Sequence, residues 1–152
     1  MTSALPSQGS ILLEVPARTE FVSLVRLVVA SAAELGPDMA LERVEDLRVA
    51  VSEAATNAVD AQAESGSTSR IGISCSVSED KVVVRIHDEG GGFDPDGVPA
   101  LPDPESPERL EHESGLGVYL MRALADETEI TSTPSGTDVQ LVVYSSKRAP
   151  ID

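Results

Sequence analysis

At 152 residues the chain is the size of one domain with a sizeable core, and a hydrophobic content of 41% suits a globular fold. Trp is absent and aromatics reach only 3%, so the core is aliphatic; no run of about 18 apolar residues marks a membrane span. The net charge of −15 argues against a nucleic-acid surface and admits either plain solubility or steering toward a basic protein partner.

Residues 1–9 read as a loose arm, without the basic-then-apolar order of a signal peptide. "SILLEV", Ser10 to Val15, is a short first strand closed by Pro16. Phe21, Leu24, Val25, Val28 and Ala32 recur at helical spacing and predict an amphipathic helix over roughly 19–35, stopped by Gly36-Pro37. Asp38 is the expected N-cap of a second helix over roughly 39–63, with Leu41, Val44, Leu47, Val51, Ala54 and Ala58 on one broad face and Gly66 at its end. In "RIGISCSV" Ile71, Ile73, Cys75 and Val77 alternate with small residues, and in "KVVVRIHD" Val82, Val84, Ile86 and Asp88 share a face. Cys75 is thus a buried apolar residue, and a single cysteine fits a reducing, cytoplasmic setting. With two histidines beside it, a zinc site is not expected. His87 falls on the other strand face as an ordinary strand residue.

Residues 94–114 hold half of the chain's ten prolines, with seven acidic residues and one basic one. A connection this long inside a domain is usually a lid, a binding loop or disorder, and a lid is the expectation here. "GLGVYLMRALAD" predicts a third helix; "ETEITSTP" and "TDVQLVVYSS" predict two final strands joined through Ser135-Gly136, before a polar tail over 147–152. The order β-α-α-β-β-lid-α-β-β predicts an α+β two-layer sandwich over residues 10–146, with helices on one face of a mixed, mostly antiparallel sheet.

Three stretches carry polar chemistry. Asp88 continues the apolar face of its strand and points inward, where a carboxylate is costly unless a donor from the chain or a ligand meets it. The run Gly90-Gly91-Gly92 after it lets backbone come close to something flat or bulky, or forms a structural bulge. On the second helix Glu53 and Asn57 stand at i and i+4, and Asp60 extends the stripe. A solvated edge would tolerate that stripe. On a buried edge the carboxylate can take a proton from a hydroxyl, and the amide oxygen can ligate Mg2+. In Ser114-Gly115-Leu116-Gly117 the lid enters a helix whose N-terminus offers N–H groups to an anion, or serves only as a joint. Together they describe a nucleotide site: a carboxylate for the base, a helix for metal and proton, glycine N–H groups for phosphates. Neither a P-loop nor a GxGxxG fingerprint after a first strand occurs.

This ordered set resembles the Bergerat-fold ATPases, which include gyrase, the heat-shock chaperone ATPase, sensor histidine kinases and MutL. Glu53-x-x-x-Asn57 is similar to their N-box, Asp88-x-Gly90-x-Gly92-Phe93 to the first glycine box, Gly115-x-Gly117 to the second, and Gly136-Thr137 to a late Gly-Thr. Small size and the phrases "LRVAVSEAATNAV" and "SGLGVYLMRALAD" look most like the bacterial anti-sigma-factor serine/threonine kinases. The resemblance implies ATP and Mg2+ as ligands, Glu53 as general base, Asn57 as metal ligand, and Asp88 on the adenine amino group beside Thr137. It further implies that Gly90 and Gly92, with Phe93, line the pocket and that Ser114, Gly115, Leu116 and Gly117 hold the triphosphate. A sigma factor and an antagonist protein phosphorylated on Ser or Thr are the implied partners, and since members are commonly dimers a homodimer is allowed. No nucleic acid or membrane is expected. Two residues depart from the pattern. Glu113 stands where members often have Arg and would repel a γ-phosphate, which favours the alternative of a regulatory module without phosphotransfer. Asp60 stands where members often have His, and it adds a carboxylate able to order Mg2+ or water.

Overall fold

The structure, a computed structural model, describes residues 9–35, 38–92 and 113–146; in the helix that begins at Glu113, only the backbone of residues 113–115 is described. The elements are β1 (Gly9–Val15), α1 (Glu20–Leu35), α2 (Leu41–Ser65), β2 (Ile71–Val77), β3 (Lys81–Asp88), α3 (Glu113–Leu124), β4 (Glu127–Thr133) and β5 (Gly136–Tyr144). Among the described residues the strands form one sheet in the order β1-β2-β3-β5-β4. Each neighbouring pair is antiparallel, so the mixed sheet expected from sequence is antiparallel throughout its described part. The crossover through α3 carries the chain to the far edge as β4, and β5 returns between β3 and β4. Asp88 at the end of β3 thereby stands opposite Thr137 at the start of β5.

Period-two alternation sets the inner face. Ile71, Ile73, Cys75, Val77, Val82, Val84, Ile86, Val139, Leu141 and Val143 are buried in one cluster with side chains of all three helices. The helices therefore cover one face of the sheet, giving an α+β two-layer sandwich. Burial pushes the Cys75 thiol up to about 11, as an apolar pocket disfavours the thiolate.

α2 buries its expected face, Val44, Leu47, Val51, Ala54 and Ala58, except at Leu41, whereas α1 turns partly away from its expected face. α1 buries Val22, Val25, Val29, Ala32 and Ala33, while Leu24 is 41% exposed. Its sequence is apolar on more than one side, so periodicity allows two stripes. The stripe of β-branched and small side chains lets α1 lie close against the alanine-rich α2. Leu41 opens α2 and is 76% exposed, since the helix reaches the core only at Val44. Ala40, not Asp38, occupies the N-cap, with no side-chain cap bond. The start of α2 is tied down by Arg43 instead. Its buried guanidinium donates to Asp46 at 2.6 Å, Asp126 at 2.5 Å and the Tyr144 carbonyl at 3.4 Å. The other end closes as expected at Gly66, in the left-handed region at φ 74°, with Gly66 N–H donating to the Ala63 carbonyl and Ser67 N–H to that of Gln62.

Of the expected lid, only residues 113 and 114 are described, and they open α3; the rest of 94–114 lies outside the described residues, as do Gly36-Pro37, the arm before Gly9 and the tail after Ser146.

Candidate functional site

The three stretches singled out by sequence meet around one helix, α2. Glu53 and Asn57 project from its middle, half-buried and one turn apart. The backbone of α3 lies on them: a Cβ added at Gly117 would sit 3.2 Å from Glu53 Oε2 and 3.3 Å from both Asn57 Nδ2 and Oδ1. Without a side chain at Gly117 the first turns of α3 come this close freely; an added Cβ would make Glu53 and Asn57 give by a few tenths of an ångström. The N-terminus of α3, with its free N–H groups and positive dipole end, is thus brought beside a carboxylate and an amide. Leu116 is half-buried, and Ser114 and Gly115 lie in the first turn. The side chain of Glu113 is outside the described residues.

The end of α2 meets the glycine loop. Asp88 is only 4% exposed and its Oδ1 accepts the Gly90 N–H at 2.8 Å. Burial raises its pKa above the usual carboxylate value. Backbone hydrogen bonds from Gly90 and Thr137 and the neighbouring His87 pull it down, while Asp138 adds to the rise. The Gly90 backbone rests on α2: a Cβ there would fall 2.7 Å from that of Ala61 and 2.8 Å from the Ala61 carbonyl carbon and oxygen. Gly92 has φ 79°, in the left-handed region, and an added Cβ would collide with the Thr133 carbonyl oxygen. Thr137 is buried, and its hydroxyl pairs with that of Ser132 at 2.8 Å.

Glu53, Asn57 and Gly117 therefore form one cluster, and Asp88, Gly90, Gly92 and Thr137 a second, with α2 running between them. Asp60 is exposed, and Phe93 lies outside the described residues. Sequence reasoning missed Gln62 and Ser132. Gln62 is wholly buried and takes the Glu89 N–H on its Oε1 at 3.0 Å. Ser132 sits on an edge strand whose alternation alone gives no sign of the contact with Thr137. An open groove on the far face of the sheet, lined by Leu12, Ser74, Arg85, His87 and Asp138 among others, contains none of the motif residues. Among the described residues no group of three His, Cys, Asp or Glu side chains gathers to hold a metal by itself. The amide oxygen of Asn57 is a hard donor and suits a cation that draws its other ligands from phosphates and water.

Residues 15–143 match the family of histidine kinase-like ATPase domains. The chain is 36% identical over 136 residues to the serine-protein kinase RsbW of Bacillus subtilis strain 168, covering 87% of this chain and 83% of that one. To the serine-protein kinase RsbW of Staphylococcus aureus it is 33% identical over 139 residues, covering 89% and 86%. Among solved structures, the RsbU and RsbW domains of Rv1364c from Mycobacterium tuberculosis superpose with a TM-score of 0.64 at 18% identity over 90% of this chain. The likeness there is one of fold, and this chain spans 32% of that longer one.

Proposed function

The chain belongs to the histidine kinase-like ATPase domain family, and within it to the serine-protein kinases of the RsbW type; from that membership we propose that it binds ATP with Mg2+ and phosphorylates a serine or threonine of an anti-sigma-factor antagonist, and that it sequesters a sigma factor. The observation that carries the reading is the close seat of Gly117 on Glu53 and Asn57. It sets the first turns of α3 against a carboxylate and an amide, on the helix whose far end touches Glu89 and Gly90 beside Asp88.

In this reading Asp88 accepts a hydrogen bond from the adenine amino group, with Thr137 beside it, and Gly90 and Gly92, seated without side chains on Ala61 and Thr133, let the loop backbone border the ring. The free N–H groups at the start of α3, among them those of Ser114 and Gly115, receive the phosphates, with Leu116 and Gly117 beside them. Asn57 Oδ1 would hold Mg2+, which when bound neutralises phosphate charge. Glu53 removes the proton from the substrate hydroxyl as its oxygen bonds to the γ-phosphorus. The bond from that phosphorus to the β,γ-bridging oxygen breaks, and ADP leaves with the electron pair. Asp60, exposed, would act only through water. Among the described residues no helix is long and apolar enough to cross a membrane, and a cytoplasmic setting belongs to the proposal.

The test is incubation with ATP, Mg2+ and candidate antagonist proteins, followed by mass spectrometry for phosphoserine and phosphothreonine. A protein that binds ATP and modifies none of them is instead the regulatory module without phosphotransfer. Glu113 at the first position of α3 favours that second reading.

A further inference from the structure

Gln62 belongs to none of the motifs, yet it is one of the few fully buried polar side chains among the described residues, at 0% exposure. Both ends of its amide are used. Nε2 donates to the Ser69 carbonyl at 2.5 Å, and Oε1 accepts the Glu89 N–H at 3.0 Å. A buried amide so satisfied holds its partners in one geometry, because breaking either bond strands a polar group away from water.

The partner on the Oε1 side is what matters. The Glu89 N–H and the Asp88 carbonyl belong to one rigid peptide unit. Gln62 holds the N–H of that unit. On its other side the Gly136 backbone lies against the Asp88 carbonyl oxygen, so closely that no Cβ fits. The next residue, Gly90, rests on Ala61 and gives its N–H to Asp88 Oδ1. The peptide that leaves Asp88 is thus gripped from α2 and from β5, and with it the direction of the Asp88 side chain. Gln62 sits five residues beyond Asn57 on the same helix, about 7.5 Å along its axis. One rigid element therefore carries both the metal-binding end and the clamp on the base-reading end.

We propose that Gln62 is a positioning residue for adenine recognition: it holds the Asp88–Glu89 peptide so that the Asp88 carboxylate meets the exocyclic amino group of the base. The inference rests on the reading of Asp88 given above. A merely structural tie between α2 and the loop before β2 would need only the bond to Ser69.

The experiment compares ATP and GTP affinities by calorimetry, since guanine carries a carbonyl where adenine carries its amino group. Three variants of the full chain are used. Gln62→Met keeps the length and removes both hydrogen bonds. Gln62→Glu keeps an oxygen for the Glu89 N–H. Val29→Ala, in α1, lowers stability without touching the loop. Gln62→Met should lose about tenfold in ATP affinity with GTP affinity unchanged. The Glu89 amide should at the same time lose protection from hydrogen exchange. Gln62→Glu should keep the parental ATP-to-GTP ratio within about threefold, and Val29→Ala should keep it whatever its melting temperature. Should Gln62→Met not fold, Gln62→Glu decides through exchange of the Glu89 amide: protection lost with the ratio kept, or protection kept with the ratio lost, overturns the role. An unchanged ratio in folded Gln62→Met also overturns it. A parent protein that does not prefer ATP over GTP refutes the adenine reading itself, and the inference with it; that failure is visible before any variant is made.

Discussion

Asp88→Asn separates recognition from stability. The substitution keeps size and shape, and Asn Oδ1 can still accept the Gly90 N–H that Asp88 accepts at 2.8 Å. What disappears is the charge and one strong acceptor. A hydrogen bond to a charged acceptor contributes roughly 1.5–3 kcal/mol, so ATP affinity should fall about ten- to hundredfold. Stability should behave otherwise. Burial raises the folded-state pKa of Asp88 above its ordinary 3.8. A group so shifted stabilises the fold fully below 3.8, and that contribution is lost as pH rises through the folded value. At neutral pH the parent therefore carries the cost of a buried carboxylate that the variant lacks, offset by the weakened bond from the Thr137 backbone. The variant should be destabilised by no more than about 1 kcal/mol, and the difference should move in the parent's favour as pH is lowered toward 3.8. Calorimetric titration with ATP, paired with denaturant unfolding at several pH values, measures both. Unchanged ATP affinity would remove Asp88 from the adenine pocket. A stability difference that moves in the variant's favour on acidification would refute the assigned cost of burial.

Glu53→Ala should lower phosphate transfer by about 10²–10⁴ with ATP affinity nearly intact, whereas Asn57→Ala should lower Mg2+-dependent ATP binding and transfer together; equal transfer by parent and Glu53→Ala would exclude the base role. Gly117→Ala places a methyl group 3.2 Å from Glu53 Oε2. Its helix propensity should add up to about 1 kcal/mol, offset by the shift of a few tenths of an ångström forced on Glu53 and Asn57, and transfer should slow by about tenfold, less than the about 10²-fold of a 1 Å misplacement; unaltered kinetics would show that the contact is dispensable. Cys75, buried and with its thiol pushed up to about 11, should react with iodoacetamide at pH 8 only as fast as the chain unfolds, and rapid labelling of the folded protein would contradict its placement.

Local pattern was enough for the elements and for which way several candidate side chains point. Strand alternation turned Asp88 inward with Val82, Val84 and Ile86, helical spacing put Glu53 and Asn57 on one side, and Gly66 marked the end of α2. Those are consequences of a side-chain period that each segment carries by itself. Where a segment satisfied two patterns at once, sequence could not choose. The apolar excess of α1 left its buried stripe undecided until α2 was laid against it. Contacts between distant segments were out of reach for a different reason. The crossover that inserts β5 between β3 and β4 is what sets Thr137 and Gly136 against Asp88, and the docking of α3 is what sets Gly117 on Glu53 and Asn57. Arg43 and Gln62 look like surface polar residues of an amphipathic helix. They are buried because Asp126, Tyr144, Ser69 and Glu89, each remote from them or beyond a turn, supply partners that only the folded chain brings within hydrogen-bond reach.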